Sequence, residues 1–358
     1  MTRIAIIGAG MTGLSLARRL SKVAKVVVFE KSRGVSGRMA TRRRDGFQFD
    51  HGAPFFTAQS EMFRSFLAPF IQKGIVAEWQ PKCIRLGTSV KEGEKADVSF
   101  PGPLYVCTPH MTSLCKDLAQ DLDIKLDTRV TGLAPDTDPS KWKLLTETSN
   151  SYSNSSEDGN DNVFDWVIST APTEQTFDIM LPHLSSTVSG QLSPTWIQSA
   201  LRPCFVLMLG LSPNIQMNFD CAQVEHPAIE WITISSPSGP PGRSGSTSTV
   251  VVQTTAAWTR EHYEDAPESV SNYLLNELNS LLPSPLCTSP AAQSLQRWRY
   301  ARVQEGYSGG DSLLDSERKL AVAGDWCLAN NGDGIAFSGV ESAFRSASHL
   351  AAQLEATL

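Results

Sequence analysis

The sequence predicts an α/β fold built on a parallel sheet, with a second, mixed-sheet domain inserted into the chain. Three observations carry this. The chain opens on strand, glycine turn, helix and strand; its middle is rich in apolar β-like runs; and it closes on a short strand and a long helix. Residues 4–7 (IAII) are a run of the kind buried on both faces of a parallel sheet. Gly8-Ala9-Gly10-Met11-Thr12-Gly13 comes next, and residues 14–20 then place apolar side chains at helical spacing. Residues 25–29 form the next strand, closed by Glu30, and a unit of about thirty residues has the length of a βαβ crossover.

Further on, residues 163–170 read as a strand, as do 204–211, 229–234 and 249–255. Residues 268–282 read as a helix with Val270, Tyr273, Leu274, Leu278 and Leu281 on one side. Residues 320–325 read as a strand ending in Gly324-Asp325, and 338–355 as a closing helix. The polar tracts 148–162 and 235–248 read as loops with no packed role. The expected division is a discontinuous dinucleotide-binding domain (1–75, 100–171 and 297–358) and a substrate domain (76–99 and 172–296).

Composition removes several function classes. Lys and Arg total 31 against 37 Asp and Glu, a net charge of −6, which is unsuited to gripping a phosphate backbone, so no nucleic-acid partner is expected. Apolar residues make up 41% of the 358, which excludes wholesale disorder. No apolar run approaches the roughly 20 residues of a membrane span, so no membrane partner is expected. The seven cysteines are spread out with no CxxC pair, and read as reduced thiols; the histidines show no metal-ligand spacing. The N-terminus carries neither a signal-peptide core nor a transit-peptide bias, and a cytoplasmic location is expected. Oligomeric state stays open.

The glycine motif stands in the context its chemistry needs. Gly8 allows the tight turn, Gly10 lets the backbone approach a pyrophosphate, and Gly13 lets helix and strand pack closely. The helix N-terminus offers N–H donors and the positive end of a dipole to phosphates. Glu30, 17 positions after Gly13, can accept bonds from ribose hydroxyls and would repel a 2′-phosphate, which disfavours NADP here. The motif alone does not separate FAD from NAD. Two further features do. Gly34-Val35-Ser36-Gly37-Arg38-Met39 sets a guanidinium beside the same pyrophosphate. Gly324-Asp325 can bond a ribityl hydroxyl, and the helix opening near Val340 can meet negative charge on a flavin ring. A grip from both chain ends suits the long FAD molecule, and predicts a Rossmann-type FAD-binding domain.

On the stretches IAIIGAGMTGLSLARRL, FEKSRGVSGRMATRR, FDHGAPFFTA, RWRYAR and AGDWCL, the chain resembles the renalase-type flavoproteins. These lie in the flavin amine-oxidase-like group with the p-hydroxybenzoate-hydroxylase architecture. The resemblance implies FAD contact from Thr12, Glu30, Lys31, Arg38, Pro54, Phe55, Val130, Asp325 and Val340. Residues 47–56 take the place of the family segment that lies along the flavin. Val130 reads equally as a plain strand valine. The resemblance also implies a reaction: hydride transfer from 2- or 6-dihydro-NAD(P) to flavin N5, then reoxidation by oxygen with release of hydrogen peroxide. The cysteines offer no evident attachment point, so non-covalent FAD is expected.

Hydride transfer from a preformed dihydropyridine needs no side-chain acid or base, only a ring held face-on at about 3–3.5 Å. No catalytic residue beyond the flavin is therefore expected, and the pocket candidates are aromatic walls and polar anchors. In residues 297–302 a strand would put Trp298, Tyr300 and Arg302 on one face and Arg297 and Arg299 on the other. Trp298 and Tyr300 could stack a nicotinamide or form a packed sheet face. Trp326 could line the flavin or pack beneath it. Gln253 stands where related bacterial sequences often carry His; it can bond a carboxamide but cannot titrate near neutral pH, and it reads equally as a strand residue bonded to its neighbours. His51 is read as a positioned structural residue, and Arg42-Arg43-Arg44 as a solvated loop end. Two other functions stay open: oxidation of a small amine, for which no lysine can be placed by flavin N5, and flavin binding without turnover.

Overall fold

The computed structural model describes residues 1–87, 98–148, 162–190, 201–212, 217–236, 239–242, 247–282, 286, 289–303, 310–328 and 339–358. Most of the 148–162 tract and parts of the 235–248 tract lie outside them. The chain divides into two compact units: Met1–Arg38, Leu114–Leu201 and Val303–Leu358, and Met39–Ser113 with Arg202–Arg302. All four boundaries differ from the expected ones: residues 39–75, 100–113 and 297–302 join the second unit and 172–201 the first.

In the first unit, the described strands form a sheet ordered Leu313–Asp315, Leu320–Val322, Trp166–Ser169, Arg3–Ile7, Lys25–Phe29, Asp123–Lys125. All neighbours are parallel except the first pair. Ile4, Ala5 and Ile6 are fully buried, as their uninterrupted apolar run requires. The Met11–Leu20 helix buries Leu14, Leu16, Ala17 and Leu20 and packs beside the closing Gly339–Glu355 helix, to which Arg19 is tied through both carboxylate oxygens of Glu355. The expected 163–170 strand is two strands. Asp165, whose carboxylate accepts the Arg3 N–H at 2.8 Å, separates Val163–Phe164, paired with the Trp142–Thr148 strand, from Trp166–Ser169 in the parallel sheet. The Thr173–Met180 helix buries Phe177 and Met180 in the same core as Trp142 and Trp326, which is why this segment belongs here.

The second unit is built on a sheet ordered Ala292–Val303, Leu201–Leu211, Ser248–Thr254, Ile229–Ser235, Cys221–Glu225, Cys83–Gly87. Side chains alternate between two differently covered faces. Phe205, Leu207, Val250, Val252 and Ile232 pack on Trp258 and on Val270, Leu274 and Leu278 of the Pro267–Leu281 helix. Tyr273, expected on that buried side, is 41% exposed and stacks on Trp258 at 5.3 Å, because the i, i+4, i+8 row of Val270, Leu274 and Leu278 takes the core-facing stripe. Cys204, Val206, Met208 and Val251 face the other way, onto Phe47 and Phe49. Those two rings come from a hairpin of Thr41–Arg44 and Phe47–Asp50, and this packing draws residues 39–75 into the unit. A Cβ at Gly210 would stand 2.6 Å from the Phe47 ring, so only glycine admits that approach.

Two expectations fail here. Residues 42–44 are strand, and Arg42 is held by Ser294 Oγ at 3.0 Å and Gln296 Oε1 at 2.6 Å instead of being solvated. The cysteines are not all free: parallel pairing sets Cys83 opposite Cys221, with Cα atoms 4.7 Å apart, and a disulfide joins them. That spacing lies within the usual range of about 4.4–6.8 Å. Cys107, Cys115, Cys204 and Cys327 are buried thiols outside this disulfide, and Cys287 is outside the described residues.

Candidate functional site

The first unit carries a backbone cradle that only glycine can form. Gly8 holds φ +106° and donates to the Phe29 carbonyl at 2.8 Å; a Cβ at Gly13 would stand 1.9 Å from the Gly8 oxygen. Gly37 (φ +53°) brings its own Cβ direction to 3.3 Å from the Gly10 Cα, so the second glycine turn lies on the first. The Ser36 N–H donates to the Ala9 carbonyl at 2.9 Å and fastens the two. Gly10 caps the Met11–Leu20 helix without a side-chain bond, leaving its first N–H groups to an anion.

Glu30 is buried, and accepts Ala9 N–H at 2.8 Å through one carboxylate oxygen and Ser32 N–H at 2.9 Å through the other. A carboxylate has about four acceptor positions, so two remain for hydroxyls. The Glu30 carbonyl takes the Thr128 N–H at 2.9 Å, which brings the Thr128–Pro135 strand and Val130 alongside. Val130 is buried in the core, next to the step where this strand's pairing shifts register. Partial burial, then Arg129, holds the Lys31 ammonium below its usual range against the pull of Glu30.

Arg38 grips Asp325 through both guanidinium nitrogens, at 2.8 and 2.5 Å. Gly324, just before it, donates to Ser346 Oγ at 2.9 Å, and the Gly339 Cβ direction passes 3.5 Å from Asp325 Oδ2. The start of the closing helix, with Val340, therefore lies beside this carboxylate. Glycine cradle, uncapped helix start, planar guanidinium and two buried carboxylates match the donor set of a pyrophosphate-bridged dinucleotide with ribose and ribityl hydroxyls. The residues present fit FAD. Trp326 does not open onto this site. It is fully buried, donates to the Ala171 carbonyl at 3.1 Å and meets Phe177 edge-on. Burial pushes the Cys327 thiol up, so it is no nucleophile.

In the second unit the chain from Asp50 to Gly52 is clamped. Asp50 Oδ1 accepts from Thr41 Oγ1 at 2.5 Å and from Met111 N–H at 3.1 Å. His51 Nδ1 donates to the Ala40 carbonyl at 3.0 Å; burial, then the Arg42 charge, lowers its pKa to about 4, so it is neutral at pH 7. Trp298 Nε1 donates to the His51 carbonyl and Gln253 Nε2 to the Gly52 carbonyl, each at 3.0 Å. Arg302 Nη2 donates to Gln253 Oε1 at 2.5 Å, and its Nη1 to Glu230 Oε1 at 3.2 Å. Arg297 and Arg299 lie instead over the Tyr263 ring, at 4.9 and 5.4 Å, as strand alternation predicts. Arg299 Nε also donates to the Tyr263 hydroxyl at 3.2 Å, and Tyr300 is half-buried.

Beyond the clamp, Phe55 meets Trp79, Phe100 and Trp231 at ring-centroid distances of 5.9, 5.4 and 5.7 Å. Trp231 pairs with Gln253 across the sheet, so both side chains leave the same face. A cavity of about 410 Å³ adjoins this cluster, lined by Trp79, Phe100, Lys82 and Leu104 among others.

Among the described residues no group of His, Cys, Asp and Glu could hold a metal, and no helix is long and apolar enough to cross a membrane. Residues 6–70 match the NAD(P)-binding Rossmann-like domain, and residues 91–354 match the flavin containing amine oxidoreductase family. The chain belongs to that flavin containing amine oxidoreductase family. It is 24% identical to mouse renalase over 350 residues, covering 93% of this chain and 95% of renalase. Its fold is similar to that of an oxidoreductase from Methanosarcina mazei (TM-score 0.68, 15% identity, 97% of this chain and 99% of that one). It is also similar to cyclohexylamine oxidase from Brevibacterium oxydans (TM-score 0.67, 13% identity, 99% of each).

This renalase-like member of the family is thus an FAD-dependent oxidoreductase. The structure brings Gly8, Gly10, Thr12, Gly13, Glu30, Lys31, Gly37, Arg38, Val130, Gly324, Asp325 and Val340 into its first unit. Met39, Pro54, Phe55, Gln253, Trp298 and Tyr300 fall in the second. Trp79, Phe100 and Trp231 were not singled out by sequence. Trp231 had a signal, its place in the 229–234 strand two residues before Thr233; Trp79 and Phe100 had none.

Proposed function

We propose that this protein is an oxidase that accepts a hydride from an isomeric dihydronicotinamide dinucleotide, the 2- or 6-dihydro form, with non-covalently held FAD and with oxygen as final acceptor. The flavin, when bound, supplies the electron sink, and hydrogen peroxide is the expected product. One observation supports the reading: each polar side chain of the clamp is engaged with the protein itself. His51 is neutral and bonded to a carbonyl, the Trp298 N–H is taken, and Gln253 is held at both ends of its amide. None is placed to carry a proton, and a dihydropyridine needs none carried. The chain's part is to orient a flat ring, for which Phe55 and Trp231 provide apolar surface.

A second reading, oxidation of a small amine, is favoured by the family match. Against it, no lysine among the described residues is buried. Anaerobic mixing of the yellow protein with each dihydro-NAD isomer and with an amine panel separates the two. Bleaching by the isomers is expected, and bleaching by amines alone rejects the proposal. Acid precipitation that leaves the yellow colour in solution checks the non-covalent linkage.

A further inference from the structure

We infer that Gln253 is a positioning residue, oriented by Arg302, that fixes the Gly52 carbonyl and so sets the path of Pro54 and Phe55, without itself binding substrate. The inference rests on the proposed function in one respect: Pro54 and Phe55 are where the family resemblance puts cofactor contact.

The orientation of the Gln253 amide is dictated by its partners. A guanidinium has only donors, so the side-chain oxygen must face Arg302 and the nitrogen must face the Gly52 carbonyl. The bonds are 2.5 and 3.0 Å, and Gln253 is 6% exposed. The Arg302 charge polarises the amide and strengthens the N–H it presents to Gly52. The preceding carbonyl, of His51, is held by Trp298 from the Ala292–Val303 strand of the same sheet. Two successive peptide planes are thus pinned by side chains of the sheet. The next two residues have little freedom of their own: Pro54 has a fixed φ, and Ala53 before it is confined to extended conformations. The tilt of the Gly52 peptide therefore decides where Pro54 and Phe55 point.

The requirement at position 253 is a group that accepts from Arg302 and donates to Gly52. Glutamine meets it, and so does a neutral histidine, one ring nitrogen to each partner. A carboxylate fails because it cannot donate, and leucine fails on both sides. The position needs a relay of hydrogen bonds, with no titration at all.

The test uses the FAD-loaded full chain with Gln253→His, Gln253→Glu, Gln253→Leu and Trp298→Phe. Visible circular dichroism and the flavin midpoint potential are read without substrate, then kcat and KM with the dihydronicotinamide that reduces the wild type. The Leu and Glu variants are expected to shift the flavin bands and to lower kcat about 100-fold with KM nearly unchanged, the size of loss that a misplacement near 1 Å produces. The His variant is expected to recover the bands and most of kcat. Trp298→Phe, which removes the bond to the His51 carbonyl and keeps an aromatic ring beside His51, is expected to move the bands as Leu does, and keeps the test alive if Gln253→Leu fails to fold. Unchanged flavin bands in the Leu and Glu variants, a loss confined to KM, or no recovery by His each overturns the inference. If no dihydronicotinamide reduces the wild type, the proposed reaction fails, while the bands and potentials still decide the role of Gln253.

Discussion

Arg38 and Asp325, 287 positions apart in the chain, hold each other through two parallel hydrogen bonds. The pair joins the second glycine turn to the Gly324-Asp325 corner, and its two partners are unequally buried. The Asp325 side chain is 5% exposed and that of Arg38 31%. Arg38→Ala strands a buried carboxylate, at an expected cost of about 2–4 kcal/mol. Asp325→Asn keeps one acceptor for the more exposed guanidinium, at a cost of about 1 kcal/mol. Urea midpoints of the FAD-free variants measure the difference, and equal costs would show that the pair does not form.

The three motif glycines differ in what they tolerate. A Cβ at Gly13 meets the Gly8 oxygen at 1.9 Å, whereas the nearest atom to one at Gly10 is the Gly37 Cα at 4.0 Å. Gly13→Ala is expected to lose the fold of the first unit. Gly10→Ala is expected to fold, with an unfolding temperature near the wild type's, yet to lose flavin because the methyl occupies the path of the pyrophosphate. Thermal melts set beside the flavin absorbance of the purified proteins check this. A yellow Gly10→Ala protein refutes it.

Much of the first unit was legible because its demands are local. Positive φ at Gly8 and Gly37, a carboxylate after the second strand and a Gly-Asp corner are requirements on single residues, and each leaves a mark in the sequence. The clamp of the second unit leaves no such mark. Gln253 meets Gly52 across 201 positions and Arg302 across 49, through a sheet register that periodicity does not encode. Trp326, which the sequence leaves either lining the flavin or packed beneath it, shows a related limit. It adjoins Asp325 in sequence, but the tight Asp325–Cys327 turn carries its ring into the core against Phe177. Asp165 shows the same limit: an apolar run can be divided between two sheets by one carboxylate bonded to Arg3, and hydrophobicity alone does not reveal it.

His51 gives the protein a pH dependence with a definite sign. Its pKa falls from 6.5 to about 4, through burial first and the Arg42 charge second, opposed by the Ala40 carbonyl and Asp50. The unfolded chain therefore binds a proton at higher pH than the folded one does. Stability from this group is whole above about pH 6.5, is lost as pH falls toward 4, and changes no further below that. The total is on the order of 3 kcal/mol. His51→Asn keeps an N–H for Ala40 and cannot titrate, so its urea midpoint is expected to vary less between about pH 7 and pH 4.5. Parallel pH profiles for variant and wild type would refute the assignment.

Cys83 and Cys221 lie 138 positions apart, and their disulfide fastens the edge strand Cys83–Gly87 to Cys221–Glu225. A cross-link over so long a separation restricts the unfolded chain strongly, with typical stabilisation of about 2–4 kcal/mol. Reduction is expected to destabilise the wild type by that amount, read from its urea midpoint, and to leave a Cys83→Ala/Cys221→Ala protein unmoved. Flavin content should be unaffected, because the glycine cradle, Glu30 and Asp325 all belong to the first unit while both cysteines belong to the second. Mass spectrometry of a non-reduced digest identifies the linked peptide directly. Recovery of both cysteines as free thiols from protein purified without reductant would remove the cross-link and its stabilisation together.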